Sequence, residues 1–273
     1  MADGVLDSVV RLFADSAEPF MVRGVVVALS VFVTLATIHL AWDLMMWALR
    51  DRGDLFGLAL RKFLLLSFFY LLIVALPLWL PRLLDGFEQL GRLVTGLEAL
   101  SPSSVFEQGV ALAFSLFDSW KKLLILLIPF AGTLQTVTFW LVLASFTLIA
   151  FQLARLLVEG SLVLGGLVVF LGASAHRATF GLFEGYVRYA FDVGIRLFVV
   201  YLLVGVGHNL GAEWDRMLTE ATAFDLADPR FLLSITASAG FYALLVQSLP
   251  KAIASALTGS FNFAGHNPLA DPG

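Results

Sequence analysis

Long apolar runs alternate with short polar segments along the chain, and the lengths of the runs predict membrane-spanning helices. About 20 apolar residues are needed to cross roughly 30 Å of hydrocarbon. Runs that can cross cover residues 24–49, 63–80, 193–210 and 231–249. A further apolar stretch, residues 134–172, is too long for one straight span and barely long enough for two. The pattern predicts an all-α, polytopic integral membrane protein with about five transmembrane helices, or six if the central stretch crosses twice.

Outside these runs, apolar residues recur at helical spacing among charged ones, which is typical of amphipathic helices at a membrane interface. Residues 1–23 have this pattern, and so do two stretches within residues 82–122 that Ser101-Pro102-Ser103 separates. Ser104 and Glu107 match a capping box, which predicts a helix start there. The short apolar stretch 123–130 meets Pro129 and is either a half-span or part of this hairpin.

The predicted organisation has five parts. They are an amphipathic N-terminal helix (1–23), two transmembrane helices (24–81), an amphipathic helical hairpin (82–133), a C-terminal membrane domain with a glycine-broken central helix (134–250) and a short tail of polar and small residues (251–273).

The distribution of charge predicts the orientation. Arg50, Arg52, Arg61 and Lys62 lie between the first two runs, and the positive-inside rule places that loop in the cytoplasm and the N-terminus outside. If the central stretch crosses once, the basic segment 173–192 and the C-terminus are cytoplasmic as well. Residues 211–230, with five acidic and two basic side chains, are then extracytoplasmic. Two crossings would reverse everything downstream, so the charges favour five spans.

Composition excludes several classes of protein. Hydrophobic residues make up 59% of the 273 positions and charged residues 14%, unlike a soluble domain or a disordered chain. The formal charge of −4 supplies no basic field for nucleic acid. There is no cysteine, no phosphate-binding loop and no metal-ligand spacing among the four histidines. We therefore expect no catalytic residue, cofactor or metal, and no sequence-specific binding of nucleic acid.

Charged and polar side chains inside the apolar runs are the candidate functional residues, because a charge in the bilayer core costs about 3 kcal/mol or more. His39 and Asp43 are four residues apart, as are Arg155 and Glu159, so each pair shares a helical face. Each pair either lines a polar pathway or subunit seam or is structural. For His39 and Asp43 we prefer the structural interpretation, in which both reach water at the cytoplasmic interface. For Arg155 and Glu159 we prefer the seam.

Glycines and phenylalanines mark two further sets of candidates. Glycine allows close helix approach or a helix break within a membrane. The candidates for this role are Gly160, Gly165, Gly166, Gly172 and Gly194. The apolar face of the predicted hairpin would contact lipid or a partner helix. Its candidate docking residues are Phe87, Phe106, Phe114 and Phe117.

A series of short motifs follows Arg155. Its members lie at residues 156–160, 170–172, 178–180, 193–198 and 247–250. In order and spacing this series resembles the TrbL family, the polytopic inner-membrane component of conjugative type IV secretion machines. The resemblance is close over the C-terminal half and consists elsewhere of the pattern of spans.

The resemblance implies a homo-oligomeric platform in the bacterial inner membrane that contacts pilin and other secretion subunits and supports transfer of DNA or protein. It also implies an extracytoplasmic N-terminus and about five spans. In that setting the hairpin would dock or gate, and Glu159 would lie at a helix break near the subunit seam. The alternative function is a secondary transporter with Asp43, Arg155 and Glu159 around a mid-membrane site, although the sequence has no convincing internal repeat.

Overall fold

The computed structural model describes residues 4–50, 55–96, 101–118, 129–221 and 228–259, and within these ranges the chain is helical with no strand. The α-helices in these ranges are α1 (Val5–Arg50), α2 (Leu55–Thr95), α3 (Pro102–Asp118), α4 (Pro129–Gly165), α5 (Phe180–Glu220) and α6 (Pro229–Thr258). A 3-10 helix, Leu167–Ala175, connects α4 to α5.

Five helices of the described residues are long and apolar enough to cross a membrane. They are Val5–Leu49, Ala59–Thr95, Gly132–Gly165, Phe180–Glu220 and Pro229–Thr258. This confirms the predicted all-α polytopic fold. The central apolar stretch contributes one of the five helices, so the count of five is the one that the structure supports.

The first two helices continue well beyond the apolar runs that predicted them. α1 has 46 residues and contains Pro19, so residues 5–23 and the first apolar run form one helix. α2 continues through Pro77 and Pro81 to Thr95, so the first amphipathic stretch of the predicted hairpin is the end of α2. Proline is tolerated inside membrane helices, where neighbouring groups satisfy the freed backbone. At 1.5 Å per residue α1 is about 69 Å long, far more than the hydrocarbon requires.

α3 begins three residues earlier than the capping-box pattern predicts. The Ser104 amide donates to Ser101 Oγ at 3.1 Å, and the Ser101 amide donates to Ser104 Oγ at 3.0 Å. Ser101 is therefore the cap, and Pro102 occupies the first helical position, where proline's missing N–H costs nothing. A capping box has Glu or Gln three residues after the cap. Here Ser104 occupies that position and makes the reciprocal hydrogen bond, so the prediction of a start at Ser104 was wrong.

By contacts the chain forms two compact units. Unit 1 consists of Met1–Arg11, Phe87–Leu157 and Ile195–Ala254. Its apolar core is built by α3, α4, α5 and α6 around buried side chains such as Phe146, Tyr201 and Trp214. The Tyr242 hydroxyl donates to the Leu203 carbonyl at 2.9 Å and ties α6 to α5.

Unit 2 consists of Leu12–Gly86, Val158–Gly194 and Ser255–Gly273. Its core combines α1 and α2 with the 3-10 helix and the first turns of α5. The Tyr186 hydroxyl donates to the Val163 carbonyl at 3.2 Å. Residues 123–128, whose role the sequence left open, lie outside the described residues.

Candidate functional site

The polar pair of the first span belongs to a larger charged cluster within unit 2. His39 is buried, with 3% of its surface exposed, and its Nε2 atom lies 3.3 Å from Asp43 Oδ2. The same carboxylate oxygen forms an ion pair with Lys62 Nζ of α2. The side chains of Lys62 and Asp43 are only 14% and 18% exposed. Lys62 therefore neutralises the Asp43 carboxylate across two helices.

Two residues that follow the 3-10 helix complete this cluster. The His176 ring packs edge-to-face against the His39 ring, with centroids 5.6 Å apart. The exposed Arg177 comes next in sequence. These residues enclose a cleft of about 490 Å³ that we call the polar cleft. Its lining residues are Ile38, His39, Trp42, Asp43, Met46, His176 and Arg177.

The end of α4 and the 3-10 helix both pack against α1, and a glycine in each allows the close approach. A Cβ at Gly165 would lie 3.1 Å from the Ala17 Cα atom, and one at Gly172 would overlap the Ala28 carbonyl oxygen. The 3-10 helix is nine residues long, although most runs of this kind stop after three or four. Its last five residues are buried, as irregular backbone at membrane depth must be.

The remaining candidate glycines are in less restrictive surroundings. A Cβ at Gly160 would meet Leu84 Cδ1 at 3.9 Å, which is ordinary van der Waals contact. Gly166 is exposed and precedes the 3-10 helix, and its amide donates to the Leu162 carbonyl at 2.9 Å. Gly194 is buried in α5. α4 thus ends at Gly165, and the direct backbone contacts with α1 are made by Gly165 and Gly172.

Arg155 and Glu159 lie one turn apart near the end of α4. Arg155 is exposed and Glu159 is half-buried. The boundary between the two units falls between them, after Leu157. The structure therefore keeps both charges on one helix face, close to the residues at which α4 gives way to the 3-10 helix.

A second polar cluster, in unit 1, was not among the candidates from the sequence. Arg92 and Glu88 form an ion pair one turn apart on α2. The buried Tyr201 of α5 donates its hydroxyl hydrogen to Glu88 Oε1 at 3.1 Å, and the Arg92 guanidinium lies 5.9 Å from the Tyr201 ring centroid. Gly91 lets this ring approach α2 closely. The sequence places Glu88 and Arg92 on the polar side of an amphipathic helix but contains no sign of Tyr201 as their partner.

The phenylalanines predicted to dock partners differ in exposure. Phe87 and Phe106 are half-buried. Phe114 of α3 is 55% exposed, and its ring contacts that of Phe139 of α4, with centroids 5.9 Å apart. The side chain of Phe117 lies outside the described residues. Phe114 is therefore the clearest exposed apolar residue of this group.

Within the described part of the chain, no group of three or more His, Asp or Glu side chains is placed to hold a metal ion. The residues here that the sequence did not assign to a site are His176 and Arg177, which line the polar cleft, and Lys62, the ion-pair partner of Asp43. Each is visible in the sequence as part of a basic segment, but their approach to His39 depends on the pairing of helices far apart in the chain.

One comparison with known proteins finds a match. A family model described as TrbL/VirB6 plasmid conjugal transfer protein matches residues 36–249. No curated protein and no solved structure matches the chain. The matched range contains the polar cleft, α3 and the break between α4 and the 3-10 helix.

Proposed function

The chain belongs to the TrbL/VirB6 plasmid conjugal transfer family, and from this premise we propose that it is a non-enzymatic inner-membrane scaffold or channel subunit of a type IV secretion machine. Membership confirms the resemblance seen in the sequence and makes the chain a component of conjugal transfer or type IV secretion. Its five long apolar helices make it a multi-pass membrane protein. The family match is the main evidence for the proposal, and the structural features described below support its finer parts.

We propose that the N-terminus is extracytoplasmic and that the C-terminus is cytoplasmic. Five crossings put the C-terminal end of α1, the connection after α4 and the C-terminal end of α6 on one side of the membrane. That side holds the basic residues Arg61 and Arg177, whereas the opposite side holds the acidic end of α5, with Glu213, Asp215 and Glu220. The positive-inside rule then favours a cytoplasmic location for the basic side.

α3 is the proposed docking element for pilin or other secretion subunits. Its described part has 17 residues and is not one of the five candidate spans. It exposes Phe114, and a large exposed apolar side chain favours contact with a partner or with lipid. Aromatic side chains also contribute disproportionately to binding at interfaces.

Arg155 and Glu159 are the proposed seam residues between copies of the subunit. Charged residues within membrane segments usually face partners or water, because lipid does not solvate them. Their place in the last turns of α4, close to the 3-10 helix, supports a contact between copies at this point of the chain. In this proposal neighbouring copies pack around these charges, and the assembled machine supports the transfer of DNA or protein.

The proposal is tested by complementing a donor strain that lacks this gene and measuring the frequency of conjugal transfer. We expect Phe114→Ala and Glu159→Lys each to lower transfer by about tenfold or more, as loss of an interface hot spot would. Both variants should still accumulate in the membrane and should recover fewer secretion subunits on co-purification. The matched control is Phe151→Ala, because Phe151 is similarly exposed, at 60%, but lies in the membrane-spanning part of α4.

Wild-type levels of transfer and co-purification in both variants would contradict the proposed docking and seam roles. Two results together would instead favour the secondary transporter. The purified monomer would move a small solute across liposome membranes, and a strain that lacks the chain would still carry out conjugal transfer.

A further inference from the structure

The polar cleft of unit 2 has a positive charge that its own residues leave unneutralised. Asp43 is already paired with Lys62, so these two charges cancel. Arg177 is exposed at the rim, and its guanidinium has no hydrogen bond or ion pair with any residue in the described ranges. With both histidines neutral, the cleft and Lys62 together carry one net positive charge, which favours an anionic ligand.

The two imidazoles add hydrogen-bonding capacity that the protein does not use. The Ala178 amide donates to His176 Nδ1 at 3.2 Å, so the neutral His176 ring carries its proton on Nε2 as a donor. His39 lines the cleft and is only 3% exposed. Its Nε2 atom lies 3.3 Å from Asp43 Oδ2 but makes no hydrogen bond with any of the described residues. A buried polar atom without a hydrogen bond is unfavourable, and a ligand oxygen in the cleft would supply the missing partner.

The apolar side chains of the cleft indicate that this ligand would come from the membrane. Ile38 and Trp42 are 54% and 59% exposed on α1 and continue the apolar surface of a membrane-spanning helix. Tryptophan is enriched at the boundary between headgroups and hydrocarbon, and charged side chains avoid the hydrocarbon itself. The cleft therefore combines a charged end with an apolar flank, as a phospholipid does.

We infer that the polar cleft binds the phosphate group of an anionic phospholipid, with Arg177 as its main charged contact and the two histidines as additional hydrogen-bonding groups. Arginine suits this role because its planar guanidinium can donate two parallel hydrogen bonds to a phosphate. The acyl chains would lie along the apolar surface beside Ile38 and Trp42. This binding requires no secretion partner, so it can hold whether or not the proposed secretion role does.

The test uses the full chain purified in a neutral detergent. Thermal unfolding is followed while phosphatidylglycerol, cardiolipin, phosphatidylcholine or inorganic phosphate is added at constant ionic strength. We expect phosphatidylglycerol and cardiolipin to raise the midpoint of unfolding and to bind more tightly than phosphatidylcholine. Equal stabilisation by phosphatidylcholine would overturn the inference, and stabilisation by inorganic phosphate alone would show a soluble anion site in place of a lipid site.

Two variants connect the effect to the cleft. Arg177→Gln should weaken the binding of phosphatidylglycerol about fivefold, the contribution typical of one basic side chain near an anionic lipid. His176→Asn keeps an acceptor for the Ala178 amide but removes the Nε2 donor, and it should weaken binding while leaving the fold intact. Arg230→Gln, at an exposed arginine at the start of α6 in unit 1, is the matched control. Unchanged binding in both cleft variants, or an equal loss in the control, would contradict the inference.

Discussion

Gly165 and Gly172 lie against backbone atoms of α1, so at these two positions a methyl group has nowhere to go. Gly172 is the more restrictive, because its absent side chain leaves room for the carbonyl of Ala28, and backbone cannot rotate away as a side chain can. Gly185 of α5 is the opposite case, since a Cβ there would find no atom within 4 Å. The same residue type is therefore structural at one position and dispensable at another.

We expect Gly172→Ala to destabilise the protein by about 1–3 kcal/mol, the usual cost of forcing an extra methyl group into a packed interior. Thermal unfolding of the detergent-solubilised chain measures this loss. Gly185→Ala is the control and should be neutral or stabilising by up to about 1 kcal/mol, because alanine favours a helix over glycine. Equal midpoints for the two variants would show that the contact with Ala28 is not close in solution.

The charged residues of α1 also show which contacts a sequence predicts. The shared helix face of His39 and Asp43 can be predicted from their spacing, since residues four apart lie on one face. The partnership of Asp43 with Lys62 is not, because it depends on how α1 and α2 pair. It joins residues 19 positions apart and changes an acidic group into half of a neutral ion pair.

The ends of α1 and α3 are joined through one carboxylate. Within unit 1, Asp7 Oδ1 accepts a hydrogen bond from the Ser103 amide at 3.1 Å, and Asp7 Oδ2 accepts one from the Ser101 hydroxyl at 2.9 Å. A negative charge at a helix N-terminus also interacts favourably with the helix dipole. Asp7 of α1 is therefore part of the N-terminal cap of α3.

Asp7→Ala should remove this shared cap and destabilise unit 1 by about 1 kcal/mol, the typical cost of losing a capping side chain. The more specific readout is hydrogen exchange, measured by mass spectrometry, of a peptide that contains the first turn of α3. Its amides should exchange faster in the variant. Asp15→Ala, at an exposed position of α1, is the matched control, and equal protection of α3 in the two variants would contradict a capping role.

Helix boundaries are the features of this protein that the sequence patterns predict least well. Pro19, Pro77 and Pro81 lie inside continuous helices, although proline usually indicates a break. The actual change of structure occurs at Gly165 and Gly166, where α4 ends and the 3-10 helix begins. The buried surroundings of a membrane protein decide which of these signals ends a helix, because neighbouring segments satisfy the backbone groups that proline frees.

At the scale of the whole molecule, the five spans make the two ends of α5 emerge on opposite sides of the membrane. The proposed orientation puts its N-terminal end, near Ala178, in the cytoplasm and its C-terminal end, at Glu220, outside. The chain has no cysteine, so a single introduced cysteine is a unique chemical label.

In intact spheroplasts a membrane-impermeant maleimide should label Glu220→Cys, whereas Ala178→Cys should react only after permeabilisation. Both positions are exposed, so a difference in labelling reports the side of the membrane. The reverse pattern would contradict the proposed orientation, and labelling of both from outside would contradict a single crossing by α5.

The sequence alone determined that this protein is all-helical and embedded in a membrane, and its motifs were sufficient to indicate the TrbL family. Those properties follow from the local density of apolar residues and from short ordered motifs, which need no three-dimensional information. Only the tertiary structure decided that the central stretch becomes one helix and a buried 3-10 segment, that Lys62 neutralises Asp43, and that His176 and Arg177 meet His39. These features depend on contacts between helices that are distant in sequence. The periodicity of a single helix predicts which of its faces is buried but does not predict which other helix packs against that face.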